Sequence, residues 1–246
     1  MEWQDDGIIL SVRKHGESSA IINVMTPSVG RHAGLVRGGS GKRLSGILQP
    51  GNKVRATWRA RLPEHLGNFT VEPVHAYAAS ALNDGGKLAA LTSACALIEA
   101  TLPERQAHPE ILRGLEILLQ SLDDDTVWPT IYVKWELGLL QELGFGLDLT
   151  NCAATGATDD LTHVSPKSGR AVSAGAAAPY KAKLLALPKF LIASPNSSGD
   201  APDIDAGLKL TGYFLETHVF HQRELELPAA RRRLGDRFRA KAGAPD

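Results

Sequence analysis

Hydrophobic periodicity changes once along this chain, near Tyr77, and that change divides what the chain is able to fold into. Before it, apolar residues recur every second position. Val54, Ala56, Trp58 and Ala60 alternate with Arg55, Thr57, Arg59 and Arg61. A period of two puts one set on one face of a strand and the other set on the opposite face. After Tyr77, Leu88, Leu91, Cys95 and Ile98 recur at three or four residues, which is helical spacing. The chain is therefore expected to be α+β, with strands first and helices second.

The strands are short and separated by turn residues. Apolar runs cover Gly7 to Val12 and Ala20 to Met25. The turn Thr26-Pro27-Ser28-Val29-Gly30 leads into Arg31 to Arg37 as a hairpin partner. Gly38 to Arg43 reads as a flexible loop, and Gln49 to Asn52 as a turn. Val54 to Arg61 and Phe69 to Val74 complete the set. Five short strands in so few residues fit a small antiparallel barrel, and the OB-fold is the common solution at this size. A barrel domain is expected over 1–78 and a helical domain over 79–246.

Within the helical part, Pro103 ends the first helix. A second helix is marked by Ile111, Leu115, Leu118, Leu119 and Leu122. A third runs from Ile131 through Trp135 to Leu143 and stops at Gly144 and Gly146. Residues 148–178 are rich in Gly, Ala, Ser and Thr and read as an irregular excursion. Tyr180 to Leu187 reads as a short helix, Ser194 to Pro202 as a polar linker, and Leu208 to Val219 as the last strong helix. The arginine-rich tail from Ala229 is expected to fray.

Charge is zero overall but unevenly spread. Residues 1–75 carry 10 Lys/Arg against 6 Asp/Glu, 76–160 carry 4 against 13, and 161–246 carry 13 against 8. A basic front, an acidic middle and a basic tail argue for separate binding surfaces. No apolar run approaches the roughly 20 residues that span a bilayer. The acidic N-terminus lacks a signal-peptide core. A cytoplasmic protein that does not engage membranes is expected. Cys95 and Cys152 are the only cysteines, too few for a disulfide framework or, alone, a zinc site.

Catalytic motifs fail on inspection. A phosphate-binding loop around Gly38–Lys42 would need Gly where Val36 stands and Ser or Thr where Arg43 stands. A nucleophile elbow at Ser40 would need Gly in place of Lys42. His218 and His221 lack a third ligand nearby, Asp123–Asp125 reads as a solvated connection, and no acid–base pair stands out. No enzyme, cofactor or metal is expected.

What remains is electrostatic. Arg55 and Arg59 on one strand face, with Arg37, Lys42 and Arg43 in the adjoining loop and Arg13 and Lys14 just after the first strand, form a candidate phosphate-binding set. Trp58 lies on the opposite face from the arginines and reads as core. Sparse aromatics favour backbone binding without sequence readout. A nucleic acid is the expected ligand, and RNA is the alternative to DNA at this point.

The ordered motifs go further. Gly7-Ile8-Ile9-Leu10, Glu17-Ser18-Ser19-Ala20, Val24-Met25-Thr26, Gly41-Lys42-Arg43 and Leu48-Gln49-Pro50-Gly51 occur in the first part. Trp135 to Leu140, Leu143 to Asp148, Val164 to Ser173, Pro188 to Leu191 and Arg223-Glu224-Leu225 follow. Together they resemble the RecO family of recombination mediators over nearly the whole chain. The resemblance implies an OB-fold followed by a helical domain in a bacterial, nucleoid-associated protein. It implies binding of single- and double-stranded DNA, annealing of complementary strands, and cooperation with RecR. The family also helps load RecA onto DNA coated with single-strand-binding protein.

Many members carry two Cys-x-x-Cys pairs. Here Thr155 stands where the partner of Cys152 would be, and the second pair is missing between Gly169 and Tyr180. Cys152 with His163 does not close a tetrahedral site, so 148–178 is expected to be a zinc-free, finger-like insertion. The resemblance also implies a receptor for the acidic, hydrophobic-ended tail of single-strand-binding protein. Lys134, Trp135, Tyr213 and Arg223 are the candidates, with Phe214 beside them, provided the helices that carry them pack together.

Overall fold

The computed structural model describes residues 1–193 and 197–243 and resolves into two compact units, 1–122 with 228–231, and 123–227 with 232–246. The first unit is built on a closed barrel of β1 (Glu2–His15), β2 (Ser19–Thr26), β3 (Gly30–Val36), β4 (Lys53–Arg59) and β5 (Asn68–His75), in the order β1-β2-β3-β5-β4. The α+β class and the five-stranded barrel are as expected. Strand β1 closes the barrel because it is long enough to pair twice. Glu2–Ile8 pair with β4, and Ile8–His15 pair with β2. The sequence reading placed this strand only over Gly7–Val12, because Glu2, Gln4 and Asp6 carry no apolar signal.

The alternation predicted for β4 is observed. Val54, Ala56 and Trp58 are buried in the barrel core with Ile9, Ile22, Val24, Val36 and Phe69, while Arg55 and Arg59 point outward. The indole N–H of Trp58 donates to the Leu66 carbonyl at 3.0 Å, so its polar atom is satisfied inside.

The compact unit runs past the last strand because two helices fold back on the barrel. After α1 (Lys42–Ser45) and α2 (Tyr77–Ala81) come α3 (Gly85–Thr101) and α4 (Pro109–Ser121). Asp84 caps α3 by accepting from Gly86 N and Lys87 N at 2.6 and 2.9 Å. From α3, Glu99 accepts from Ser11 Oγ at 2.7 Å and Asn23 Nδ2 at 2.6 Å. From α4, Glu116 pairs with Lys53 at 2.8 Å.

The Gly38–Arg43 segment is not the free loop expected. Ser40 N donates to Ser18 O at 3.0 Å and Ser40 Oγ to Ser19 O at 2.7 Å, and Lys42 and Arg43 then open α1. Gly38, at φ +70°, supplies the left-handed step that lets the chain turn back to those acceptors.

The second unit contains α5 (Trp128–Glu142), a small sheet, and α7 (Ala201–Phe214), which continues through a wide turn at Leu215–Phe220. The excursion is more regular than expected. Strands β6 (Leu161–Val164), β7 (Ala171–Ser173) and β8 (Leu185–Ala186) form a sheet ordered β7-β6-β8, with α6 (Ala174–Ala177) after β7. The helix expected over Tyr180–Leu187 is instead a 3-10 turn, Ala178–Lys183, followed by β8. Pro179 and Pro188 bracket the segment, and Val164 and His163 offer a strand edge that Leu185 and Ala186 take. Of the polar linker, residues 194–196 lie outside the described residues.

The tail does not fray as expected. It forms α8 (Ala229–Ala242), anchored by buried Leu234 and Phe238, and Phe238 meets Trp128 edge-on at 5.7 Å.

Candidate nucleic-acid interface

At one mouth of the barrel the ends of three elements converge. Arg37 follows the last residue of β3, Arg43 lies on α1, and Arg59 ends β4. Their side chains line a cavity of about 430 Å³ together with Val36, Leu44, Asn68, Phe69, Thr70 and Val71. The floor is apolar and the rim is cationic. Strand register explains the convergence. Arg59 pairs with Asn68, and Asn68 with Leu35, so the end of β4 lies beside the end of β3 that leads into Arg37, whereas Arg13 stands well along β1 from Glu2, the strand partner of Arg59, and does not line the cavity. Lys14 pairs with Ala20, and Ala20 with Val36, just before Arg37.

All the candidate cations of this unit are exposed, but their surroundings differ. Arg37 and Arg43 have no hydrogen bond or ion pair among the described residues. Lys42 is exposed on α1 beside the cavity but does not line it. Arg59 donates to Glu2 at 2.7 Å, which raises the arginine's pKa and lowers the carboxyl's. Arg55 lies outside the cavity. It holds Asp6 with two hydrogen bonds, at 2.9 and 3.3 Å, and its other neighbour across the sheet is Glu72.

The strand face that read as a row of free cations is thus partly neutralised by β1. Sequence reasoning missed Glu2 and Asp6 because it did not extend the strand to them. Their signal was a spacing of two on either side of Gln4, the same period as Arg55 and Arg59. It also missed Asn68, Phe69 and Thr70, whose alternation on β5 was legible but was not connected to the arginines.

Inside the barrel Trp3, His32, Trp58 and Phe69 form one aromatic cluster, with Trp3 and Trp58 stacked at 6.0 Å and His32 4.6 Å from Trp58. Burial pushes the His32 pKa down. These rings support the floor of the cavity through Phe69.

In the second unit, α5 and α7 do pack together. A Cβ on Gly207 would lie 2.9 Å from Val133, so the glycine permits the close approach. A cavity of about 560 Å³ opens beside α5. It is lined by Lys134, Leu137, Gly138, Gln141, Leu147, Leu149, Thr150, Phe190, Leu191 and Ala193. Lys134 is therefore a cation at an apolar pocket, half-buried, with its pKa lowered by that burial. Its neighbours are not those expected. Trp135 is core, 5 % exposed and packed on Tyr132. Tyr213 meets Phe214 edge-on, and Arg223 stands in an exposed turn. None of these three lines the pocket.

Cys152 is buried in the small sheet's knuckle. Its sulfur accepts from Ser173 N at 3.3 Å and from Ser173 Oγ at 3.4 Å. Among the described residues no group of three or more His, Cys, Asp or Glu is placed to hold a metal ion. No helix among them is long and apolar enough to cross a membrane.

Comparison with known proteins covers both units. Residues 1–77 match the family model for the recombination protein O N-terminal region, and residues 82–226 the model for its C-terminal region. The chain is 52% identical to a DNA repair protein RecO of Rhodospirillum centenum over 241 residues, 97% of this chain and 95% of that protein. It is 47% identical to the protein of that name from Rhodospirillum rubrum over 249 residues, 99% of each chain. A Caulobacter vibrioides protein of the same name is 47% identical over 238 residues, 97% of this chain and 98% of that one.

Proposed function

Because this chain belongs to the recombination protein O family, we propose that it serves DNA repair as a binder and annealer of DNA. It holds single- and double-stranded DNA, brings complementary strands together, and with RecR helps RecA load onto DNA coated by single-strand-binding protein. The observation that carries this reading is the cavity at the barrel mouth, with Arg37, Arg43 and Arg59 around an apolar floor.

The physics is that of a polyanion. Each arginine that meets a phosphate releases condensed counterions, and that release is the main source of affinity. Arg37 and Arg43 are free to do so, with Lys42, Arg13 and Lys14 extending the positive edge. Arg59 must first exchange Glu2 for a phosphate, and a solvent-exposed ion pair yields readily to such exchange. Leu44 and Val71, half-buried over the core residues Val36 and Phe69, offer apolar contact to a base without hydrogen-bonding its edge, so binding is tolerant of sequence. Arg55, held by Asp6, contributes least. Two strands that repel through their phosphates approach more easily once a protein has neutralised part of their charge, and base pairing then supplies specificity. No covalent chemistry is needed.

For the tail of single-strand-binding protein, the reading rests on the pocket beside α5. An apolar cavity with Lys134 at its edge matches a peptide that ends in a hydrophobic residue and a free carboxylate.

Replacing Arg37 and Arg43 together with Ala tests the main reading. Affinity for single strands should fall across all sequences, and the slope of log affinity against log salt should become shallower by roughly one unit per lost phosphate contact. Replacing Arg55 alone should change little. An unchanged salt slope in the double variant would remove the barrel mouth from the interface.

A further inference from the structure

Annealing requires two DNA segments to be held at once, and the barrel mouth accounts for one. A different arrangement of cations stands on the last helix, which belongs to the second unit from Arg232 onward. Helix α8 contains Arg231, Arg232, Arg233, Arg237, Arg239 and Lys241 against a single acid, Asp236. Three of the six are already engaged. Arg231 is buried, Arg232 donates to Glu226 at 2.8 Å, and Arg239 to Asp236 at 3.0 Å.

The other three, Arg233, Arg237 and Lys241, are exposed and stand four residues apart. On a helix that spacing advances about 6 Å along the axis and about 40° around it, so they form one continuous ridge. Arg233 and Arg237 have no hydrogen bond or ion pair among the described residues. The Lys241 ammonium lies 5.4 Å from the Phe238 ring, which props it at the end of the ridge.

Such a series is unfavourable by itself, since like charges at this spacing repel. It persists on a helix whose adjoining face is pinned by Leu234 and by Phe238 against Trp128. The cations are therefore displayed on a fixed rod, and a ligand does not have to order them first. A ligand that offsets the repulsion must present several negative charges in a row.

The geometry points to α8 as a second phosphate-binding surface, which takes the backbone of a DNA strand and is used in annealing. This assignment rests on the reading of the protein as a DNA binder. An acidic peptide is the poorer fit. The other exposed residues beside the ridge are Arg232, Asp236 and Ala240, so no pocket for a large apolar side chain adjoins it.

The test uses the full chain with Arg233→Glu and Arg237→Glu together, and a companion with Arg233→Lys and Arg237→Lys. Three quantities are read: affinity for a short single-stranded oligonucleotide, the rate of annealing of two complementary oligonucleotides, and thermal stability. In the glutamate variant annealing should fall by about tenfold or more, while short-strand affinity stays within about threefold. The lysine variant should anneal normally, because charge and not guanidinium shape carries the effect.

An unchanged annealing rate in a folded glutamate variant overturns the assignment of α8. So does a variant that loses binding of an acidic peptide but still anneals at the normal rate. A wild-type chain that neither binds nor anneals DNA overturns the parent reading, and this one with it.

Discussion

Cys152 and Cys95 have the same side chain in opposite circumstances. Hydrogen bonds from Ser173 and Thr155 push the Cys152 thiol down to about 6. Burial, aided by the nearby Glu99 carboxylate, pushes the Cys95 thiol up to about 12. Thr155 stands where the resemblance implies a second cysteine, and it supplies a hydroxyl donor in place of a shared metal. The folded state therefore favours the Cys152 thiolate. Because its folded pKa is depressed, this stabilisation is complete above the ordinary thiol range and is lost as pH falls through about 6. Ultraviolet thiolate absorbance should titrate with a midpoint near 6 and vanish in Cys152→Ser. The stability gap between wild type and that variant should widen as pH rises from 6 toward 9. A midpoint in the usual thiol range would show that these donors do not hold a thiolate. At this scale the sequence was informative about absences, such as the missing cysteine partners. It was silent on pairings such as Glu2 with Arg59, which depend on strand register.

Elements were legible where period and punctuation agreed. The alternation from Val54 gave β4, and the leucine spacing before Pro103 gave α3. Where one signal was missing the reading failed. Strand β1 begins with polar residues, and the buried side of α8 has Leu234 and Phe238 as its apolar residues beside the buried Arg231, so neither shows a broad apolar stripe. Turns are the most exacting elements. Gly30, at φ +77°, joins β2 to β3, and a Cβ there would lie 1.8 Å from the Gln106 carbonyl oxygen. That oxygen belongs to backbone between α3 and α4 and cannot rotate away. Gly30→Ala should destabilise the protein by about 2–4 kcal/mol, from the left-handed backbone and the overpacking together. Urea unfolding would show this as a lower midpoint. A midpoint close to wild type would mean that the loop at Gln106 yields freely.

Over the whole molecule, a formal charge of zero conceals two positive regions and a negative one. The positive regions contribute the barrel mouth in the first compact unit and the Arg233–Arg237–Lys241 ridge in the second. Lys134 stands in the acidic stretch, where it borders the apolar pocket beside α5. Lys134→Ala should weaken binding of an acidic peptide with a hydrophobic C-terminus by about tenfold, the usual cost of one charge-assisted hydrogen bond. Arg223→Ala should leave it unchanged, since that residue does not line the pocket. Fluorescence anisotropy of a labelled peptide would decide the matter. Full affinity in a folded Lys134→Ala variant would place the tail elsewhere.

The carboxylates on β1 also change what a salt titration reports. An arginine facing open solvent carries only loosely associated anions, whereas Arg59 carries Glu2. When a phosphate displaces a tethered carboxylate, the departing group stays on the protein and then attracts a cation of its own. The ion count at that position is thereby reduced or cancelled. A slope measured for this protein will thus undercount its phosphate contacts, and Glu2→Gln should steepen it without adding a contact.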